Sequence, residues 1–192
     1  MTTESGAAEI RGERGFEVAL GMGANLGDRL AALQRGIDVV CRDIAVQPIA
    51  VSPVYDSDPV GGPEQPDFLN AVLLIRTTLA PLEVLALGQV GERELARERS
   101  IRWGPRTLDV DVLSYGSVIS DDKILTLPHP RAAERAFVLV PLNDVAPDLT
   151  LAGMSVPISR LVDLLSDRDR REVRVRTDLR LQLADGSALD TL

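Results

Sequence analysis

Between Arg97 and Tyr115 the chain reads R-E-R-S-I-R-W-G-P-R-T-L-D-V-D-V-L-S-Y. Four arginines (Arg97, Arg99, Arg102 and Arg106) meet one acid, Glu98, and are followed by Asp109 and Asp111 with a single residue between them. Guanidinium groups stay charged and pair bidentately with phosphate oxygens. On a strand, residues i and i+2 share a face, ~6.6 Å apart along the chain. Two carboxylates so placed are hard oxygen ligands suited to magnesium, with room for one ion or for two bridged by phosphate. Cations beside a metal-binding acid pair point to a nucleoside triphosphate and phosphoryl transfer. D-x-D alone would equally fit a solvent-facing acidic stripe, and the adjoining arginines and Trp103 favour a site. Gly104 and Pro105 stop the preceding helix short of these arginines, which places Arg99, Arg102 and Arg106 on a loop.

A few other residue types stand out because they are scarce. Trp103 is the only tryptophan and lies inside that polar loop. It suits either a core anchor or a lid over a flat ring. Phe68 and Phe137 are two of only three phenylalanines. Each borders a polar group, Asn70 after the first and Arg135 before the second. Facing one another they would sandwich a planar heterocycle, with Asn70 reading its hydrogen-bonding edge. His129, the only histidine, sits in P-H-P-R, where it either pins a turn or reaches a ligand.

The elements that must hold these residues follow from hydrophobic period and punctuation. F-E-V-A-L-G-M-G (16–23) predicts a strand, and A-N-L-G-D-R turns the chain. Leu30, Leu33, Ile37 and Val40 give one buried face of a helix from about Asp28 to Arg42. Val46 to Tyr55 reads as extended, with Pro48 and Pro53 suiting an edge strand. Three prolines and two glycines make 56–66 a loop, and Phe68 to Thr78 a strand. A second helix, with Pro81 in its first turn, runs to about Ala96. The strand 107–115 follows, then short extended pieces around Ile119, Leu125 and Phe137–Val140, and a last helix over Pro157–Asp167. This order is the split β-α-β pattern.

At 192 residues with 45% hydrophobic content, the chain predicts one folded domain over 16–167. Residues 1–15 read as a polar, flexible leader, and 168–192 as a charged, solvated extension. No apolar run is long enough to span a bilayer, and no signal core is present, which predicts a cytoplasmic protein. The single cysteine, Cys41, cannot form an internal disulfide and reads as a small buried hydrophobe. A net charge of −8 argues against nucleic acid as a partner.

Four motifs, in order, carry a resemblance: L-G-M-G-A-N-L-G-D-R, S-P-V-Y-D-S-D-P-V-G-G-P-E-Q-P-D-F-L-N, R-W-G-P-R-T-L-D-V-D-V-L, and P-H-P-R-A-A-E-R-A-F-V-L-V-P-L. From about Val18 to Asp148 the chain resembles the 6-hydroxymethyl-7,8-dihydropterin pyrophosphokinases of folate biosynthesis. The resemblance implies a ferredoxin-like α+β fold, with an antiparallel sheet and helices on its faces. It also implies magnesium-dependent transfer of diphosphate from ATP to the pterin hydroxymethyl group, with release of AMP. By the same resemblance, Asp109 and Asp111 ligate two Mg²⁺ ions, and Arg97, Arg99 and Arg106 contact phosphate. Gln89, Glu92, Trp103, Val112, His129 and Arg135 match nucleotide-side positions. Ser57, Asp58, Val60, Phe68, Asn70, Trp103 and Phe137 match the pterin side. A monomer acting on small-molecule substrates is expected. The chain departs from the family's usual G-S-N by placing Ala24 after Gly23, and from its Gly-Arg by Ala96–Arg97. A non-catalytic sensor on this scaffold would bind without turnover, and a nucleotidyltransferase would release pyrophosphate.

Overall fold

The computed structural model describes residues 15–59, 64–95 and 106–183. Of the expected leader, 1–15, residues 1–14 lie outside them. Strand β1 (Phe16–Ala24) lies inside a six-stranded antiparallel sheet. It pairs on one side with β4 (Phe68–Thr77) and on the other with β5 (Asp109–Tyr115). Beyond β4 lies a broken edge: β2 (Val46–Val51) pairs with one end of β4 and β3 (Tyr55–Ser57) with the other. Ser52 holds the break by donating its N–H to the Val72 carbonyl and accepting the Val72 N–H on its Oγ. This is the ferredoxin-like arrangement expected from the order of elements. It differs from expectation at 56–57, where pairing with β4 makes a strand of residues that the prolines and glycines of 56–66 had assigned to a loop.

Side-chain alternation divides the core in two. Val18, Leu20 and Met22 of β1 and Leu69, Leu73 and Ile75 of β4 point to one face. There they meet helices α1 (Arg29–Val40) and α2 (Pro81–Leu95). Helix α1 starts where the Asp28 carboxylate accepts the Ala31 N–H at 3.0 Å, an N-cap that satisfies one of the orphan donors of the first turn. Helix α2 starts at Pro81, with Glu83 accepting the Ala80 N–H. The two helices approach closely where Gly91 faces Gly36, and a Cβ on Gly88 would come within 2.9 Å of Val110.

Ala19, Val72, Leu74 and Leu113 point to the opposite face. They pack beneath α3 (Ala136–Val145) and α4 (Ile158–Asp163). The stretch Phe137–Val140, expected to be extended, is therefore helical. Its β-branched run imitates a strand, but Ala136, Val138, Leu139 and Leu142 bury at helical spacing, and that burial decides the conformation. A small hairpin, β6 (Ser120–Asp121) with β7 (Thr126–Leu127), follows β5.

The charged tail also departs from expectation. After α5 (Asp167–Arg171), strand β8 (Val173–Val175) pairs antiparallel with β3 and completes the sheet edge. Leu181 and Leu183 are buried in the first core, and Leu179 packs against it. The solvated extension expected over 168–192 is thus structured up to residue 183, because L-R-L-Q-L supplies an apolar residue at every second position. Residues 184–192 lie outside the described part.

Candidate active site

The face of the sheet that carries α3 is not fully covered, and a cavity of about 310 Å³ opens beside it. Its floor is set by register. Asp111, Gly21 and Val72 stand in one cross-strand row, and Asp109, Gly23 and Asn70 in the next. The strand period therefore aims both carboxylates into the cavity, while Val110 and Val112 are buried in the core behind. The two glycines leave the floor open between the acids and Asn70.

On the acidic side, Arg106 pairs with Asp109, and His129, Arg131 and Arg135 complete the lining. Burial first, and then the charge of Asp109, push the Asp111 carboxyl up to about 6, against the opposing pull of Arg135 and Arg106. His129 moves the other way. Burial and the charges of Arg135 and Arg131 hold its imidazole below the usual histidine range. Its Nδ1 accepts the Arg131 N–H at 3.2 Å, which puts the proton of the neutral ring on Nε2, 3.9 Å from the Asp111 carboxylate.

On the opposite side, Asn70 is buried and donates from Nδ2 to the Ser57 Oγ at 2.8 Å. Phe68, Asp58 and Gln65 stand next to it, and α3 brings Phe137 and Val138 across the opening. The Arg135 guanidinium lies 5.4 Å from the centre of the Phe137 ring, which ties the cationic side to the aromatic one. Helix α3 is anchored at its other end, where the Tyr55 hydroxyl donates to Asp144 at 2.7 Å.

Of the residues singled out in the sequence, Ser57, Asp58, Phe68, Asn70, Arg106, Asp109, Asp111, His129, Arg135 and Phe137 line this one cavity. Val60, Arg97, Arg99 and Trp103 lie outside the described residues. Gln89 is exposed on α2, and Val112 is buried in the first core; neither lines the cavity. Glu92 is 7% exposed and accepts the Val110 N–H at 3.0 Å. Strand β5 is a sheet edge, and Glu92 satisfies an edge donor between the two aspartates. Gly21, Gly23, Gln65, Arg131 and Val138 line the cavity without having been singled out.

One buried side chain joins the two sides. Asn25, 2% exposed, accepts the Arg106 N–H on Oδ1 at 2.7 Å, while its own N–H donates to the Arg106 carbonyl. Its Nδ2 donates to Gln65 Oε1 and to the Pro66 carbonyl, each at 3.1 Å. The neighbouring Ala24, where the family usually has serine, is fully buried in the first core and faces away from the cavity.

With this geometry in place, comparison with known proteins is decisive. Residues 19–147 match the profile of the family described as 7,8-dihydro-6-hydroxymethylpterin-pyrophosphokinase. The chain belongs to the 7,8-dihydro-6-hydroxymethylpterin-pyrophosphokinase family. It is 45% identical over 134 residues to the 2-amino-4-hydroxy-6-hydroxymethyldihydropteridine pyrophosphokinase of Pseudomonas aeruginosa, covering 70% of this chain and 83% of that one. The enzyme of the same name from Mycobacterium tuberculosis is 44% identical over 170 residues, covering 82% and 88%. Among solved structures, an HPPK-DHPS of Plasmodium falciparum superposes with a TM-score of 0.63 at 13% identity. That match covers 86% of this chain and 47% of the other, so the chain spans about half of that two-part protein and shares its fold.

Proposed function

We propose that this pyrophosphokinase-family chain transfers diphosphate from ATP to the hydroxymethyl group of 6-hydroxymethyl-7,8-dihydropterin and releases AMP, a step of folate biosynthesis. The observation that carries the reading is the shared cavity. One set of walls presents paired carboxylates and arginines, and the other presents Asn70 with two phenylalanines. A polyanion and a flat, hydrogen-bonding ring can therefore lie side by side within reach of one another.

The donor set fits magnesium. Asp109 and Asp111 share a face; burial, and then the charge of Asp109, raise the Asp111 carboxyl, and a divalent cation offsets both. Among the described residues no group of three or more histidines, cysteines or acids is arranged to hold a metal. Two protein carboxylates, with phosphate and water completing the shell, agree with the reluctance of Mg²⁺ to dehydrate. Bound there, one or two Mg²⁺ ions would draw charge from the transferred group. Arg106 and Arg135 hold fixed positive charge next to the same carboxylates, which suits a loose transition state spread over phosphate oxygens. The phosphate contacts expected of Arg97 and Arg99, and the covering role of Trp103, belong to the same proposal. Phe68 and Phe137 hold the ring, and Asn70, with its Nδ2 committed to Ser57, offers Oδ1 to a ring N–H or amino group.

No helix among the described residues is long and apolar enough to cross a membrane. As part of the same reading the enzyme acts as a cytoplasmic monomer on small-molecule substrates, and sedimentation velocity checks the monomer. Nucleotide products, separated after incubation with ATP, Mg²⁺ and the pterin alcohol, test the reaction. AMP that appears only with the pterin is expected. Pyrophosphate or ADP as product would overturn the reaction assigned here.

A further inference from the structure

The family match ends at residue 147, yet a later segment reaches the wall of the cavity. Strand β8 pairs Val173 with Ser57 and Val175 with Tyr55, and the Arg176 N–H then donates to the Val54 carbonyl at 2.8 Å. Arg174 lies between these contacts, and its guanidinium reaches two acids. Nη2 stands 2.9 Å from Asp58 Oδ1 and 3.3 Å from Asp67 Oδ2. Those two acids bracket the connection from β3 to β4, which also carries Gln65, and both Asp58 and Gln65 line the cavity. Arg176 adds a 2.8 Å pair with Asp56, which Arg29 approaches from the other side at 3.4 Å. The far end of the segment is fixed as well. Gln182 exchanges two 2.9 Å hydrogen bonds with Gln34 of α1, and Leu181 and Leu183 are buried.

We infer that residues 173–183 form a strap that sets the pterin-side wall, with Arg174 as a positioning residue that holds Asp58 and Asp67 at the spacing the ring requires. This rests on the pyrophosphokinase reading. Arg174 is half-exposed and touches no described nucleotide-side residue, so its removal frees Asp58 and Asp67 and leaves the fold and the diphosphate side in place. Binding of the pterin must then first fix these positions, and that cost falls on pterin affinity alone.

Steady-state kinetics of Arg174→Ala test the strap. The expected result is a pterin KM raised about three- to tenfold, the scale of two exposed ion pairs, with kcat and the KM for ATP unchanged. Arg174→Lys, which keeps one charge, should recover part of the loss. Asp67→Asn, which removes the clamp partner outside the cavity, should raise the pterin KM by itself and add little to Arg174→Ala. In about 0.5 M salt the gap between wild type and Arg174→Ala should narrow. An unchanged pterin KM in Arg174→Ala, or a parallel rise in both KM values with a fall in kcat, overturns the strap. A wild-type protein that makes no AMP from ATP and pterin overturns the underlying reaction instead.

Discussion

Gly23 faces Asn70 across β1 and β4, and a Cβ built on Gly23 would lie 3.4 Å from the Asn70 Oδ1 and 3.7 Å from the Phe68 ring. Those are ordinary contact distances, so the fold has room for a methyl group at this point. The proposed ligand does not, because the same space is where an edge of the ring would meet Asn70. Gly23→Ala should therefore separate stability from binding. The thermal midpoint should hold or rise slightly, since alanine in a strand interior is favoured over glycine by about 0.5–1 kcal/mol. The pterin KM should rise at least about tenfold, the usual effect of one misplaced methyl in a fitted pocket. A pterin KM within twofold of wild type would remove Gly23 from the ring site.

Asp111 supports a second separation. Its carboxyl is held up at about 6 by burial and by Asp109, so the ionised pair sits uneasily when no cation is bound. Replacing it by asparagine keeps the shape and removes the repulsion. Asp111→Asn should abolish turnover at saturating Mg²⁺ while the metal-free protein unfolds at the same temperature as wild type or higher. Chelation of the metal from the wild-type enzyme should give the same loss of turnover, reversed by added Mg²⁺. Near-normal activity in the variant would refute the assignment of Asp111 as a metal ligand.

These two sites differ in how visible they are in the sequence. Asp109 and Asp111 announce themselves because strand alternation needs only the chain itself to put two carboxylates on one face. Gly21 and Gly23 lie at the same i, i+2 spacing, but what they contribute is an absence of side chain. That becomes meaningful only when β4 and β5 are set on either side of β1. Helix α3 was concealed by F-V-L-V, whose local preference is extended and whose burial against Leu74 and Leu113 is a tertiary effect. The strap was concealed by charge: R-D-R-R-E-V-R-V-R reads as solvated until its arginines are seen to face Asp56, Asp58 and Asp67. Glu92 was placed on the nucleotide side by the resemblance, and its hydrogen bond to the Val110 N–H at the edge of β5 becomes visible only in the fold.

Cys41 yields a prediction about pH. Burial, and then the nearby charge of Asp38, push its thiol up to about 11. A raised thiol pKa means that the reactive thiolate is scarce at neutral pH and grows about tenfold with each unit of pH until the pKa is reached. At pH 8 the thiolate fraction in the folded protein is roughly a thousandth. Alkylation by iodoacetamide should therefore be far slower in the native protein than in urea, and the native rate should keep climbing past pH 9. A native rate that levels off near pH 8.5 would show an ordinary thiol and an open site.

The Asn25 side chain makes three hydrogen bonds beside the cavity. Its Oδ1 and Nδ2 are spent on Arg106, Gln65 and Pro66, which belong to the two chain segments that enter the site from opposite sides. Removing the amide takes away the partner of a part-buried backbone donor and of two part-buried acceptors at once, and each lost hydrogen bond costs stability. Asn25→Ala should cost about 1–3 kcal/mol in urea unfolding. Asn25→Asp keeps the acceptor for the Arg106 N–H but loses both donations to the 65–66 segment. Its second carboxylate oxygen would face the Gln65 and Pro66 acceptors, so it should destabilise at least as much as alanine, but it should spare the approach of Arg106 to Asp109 more than that of Gln65 to the ring. The kinetic expectation follows: Asn25→Asp raises the pterin KM more than the KM for ATP, while Asn25→Ala raises both. Equal effects of the two substitutions on both constants would mean that Asn25 stabilises the fold without holding the two sides of the site in register.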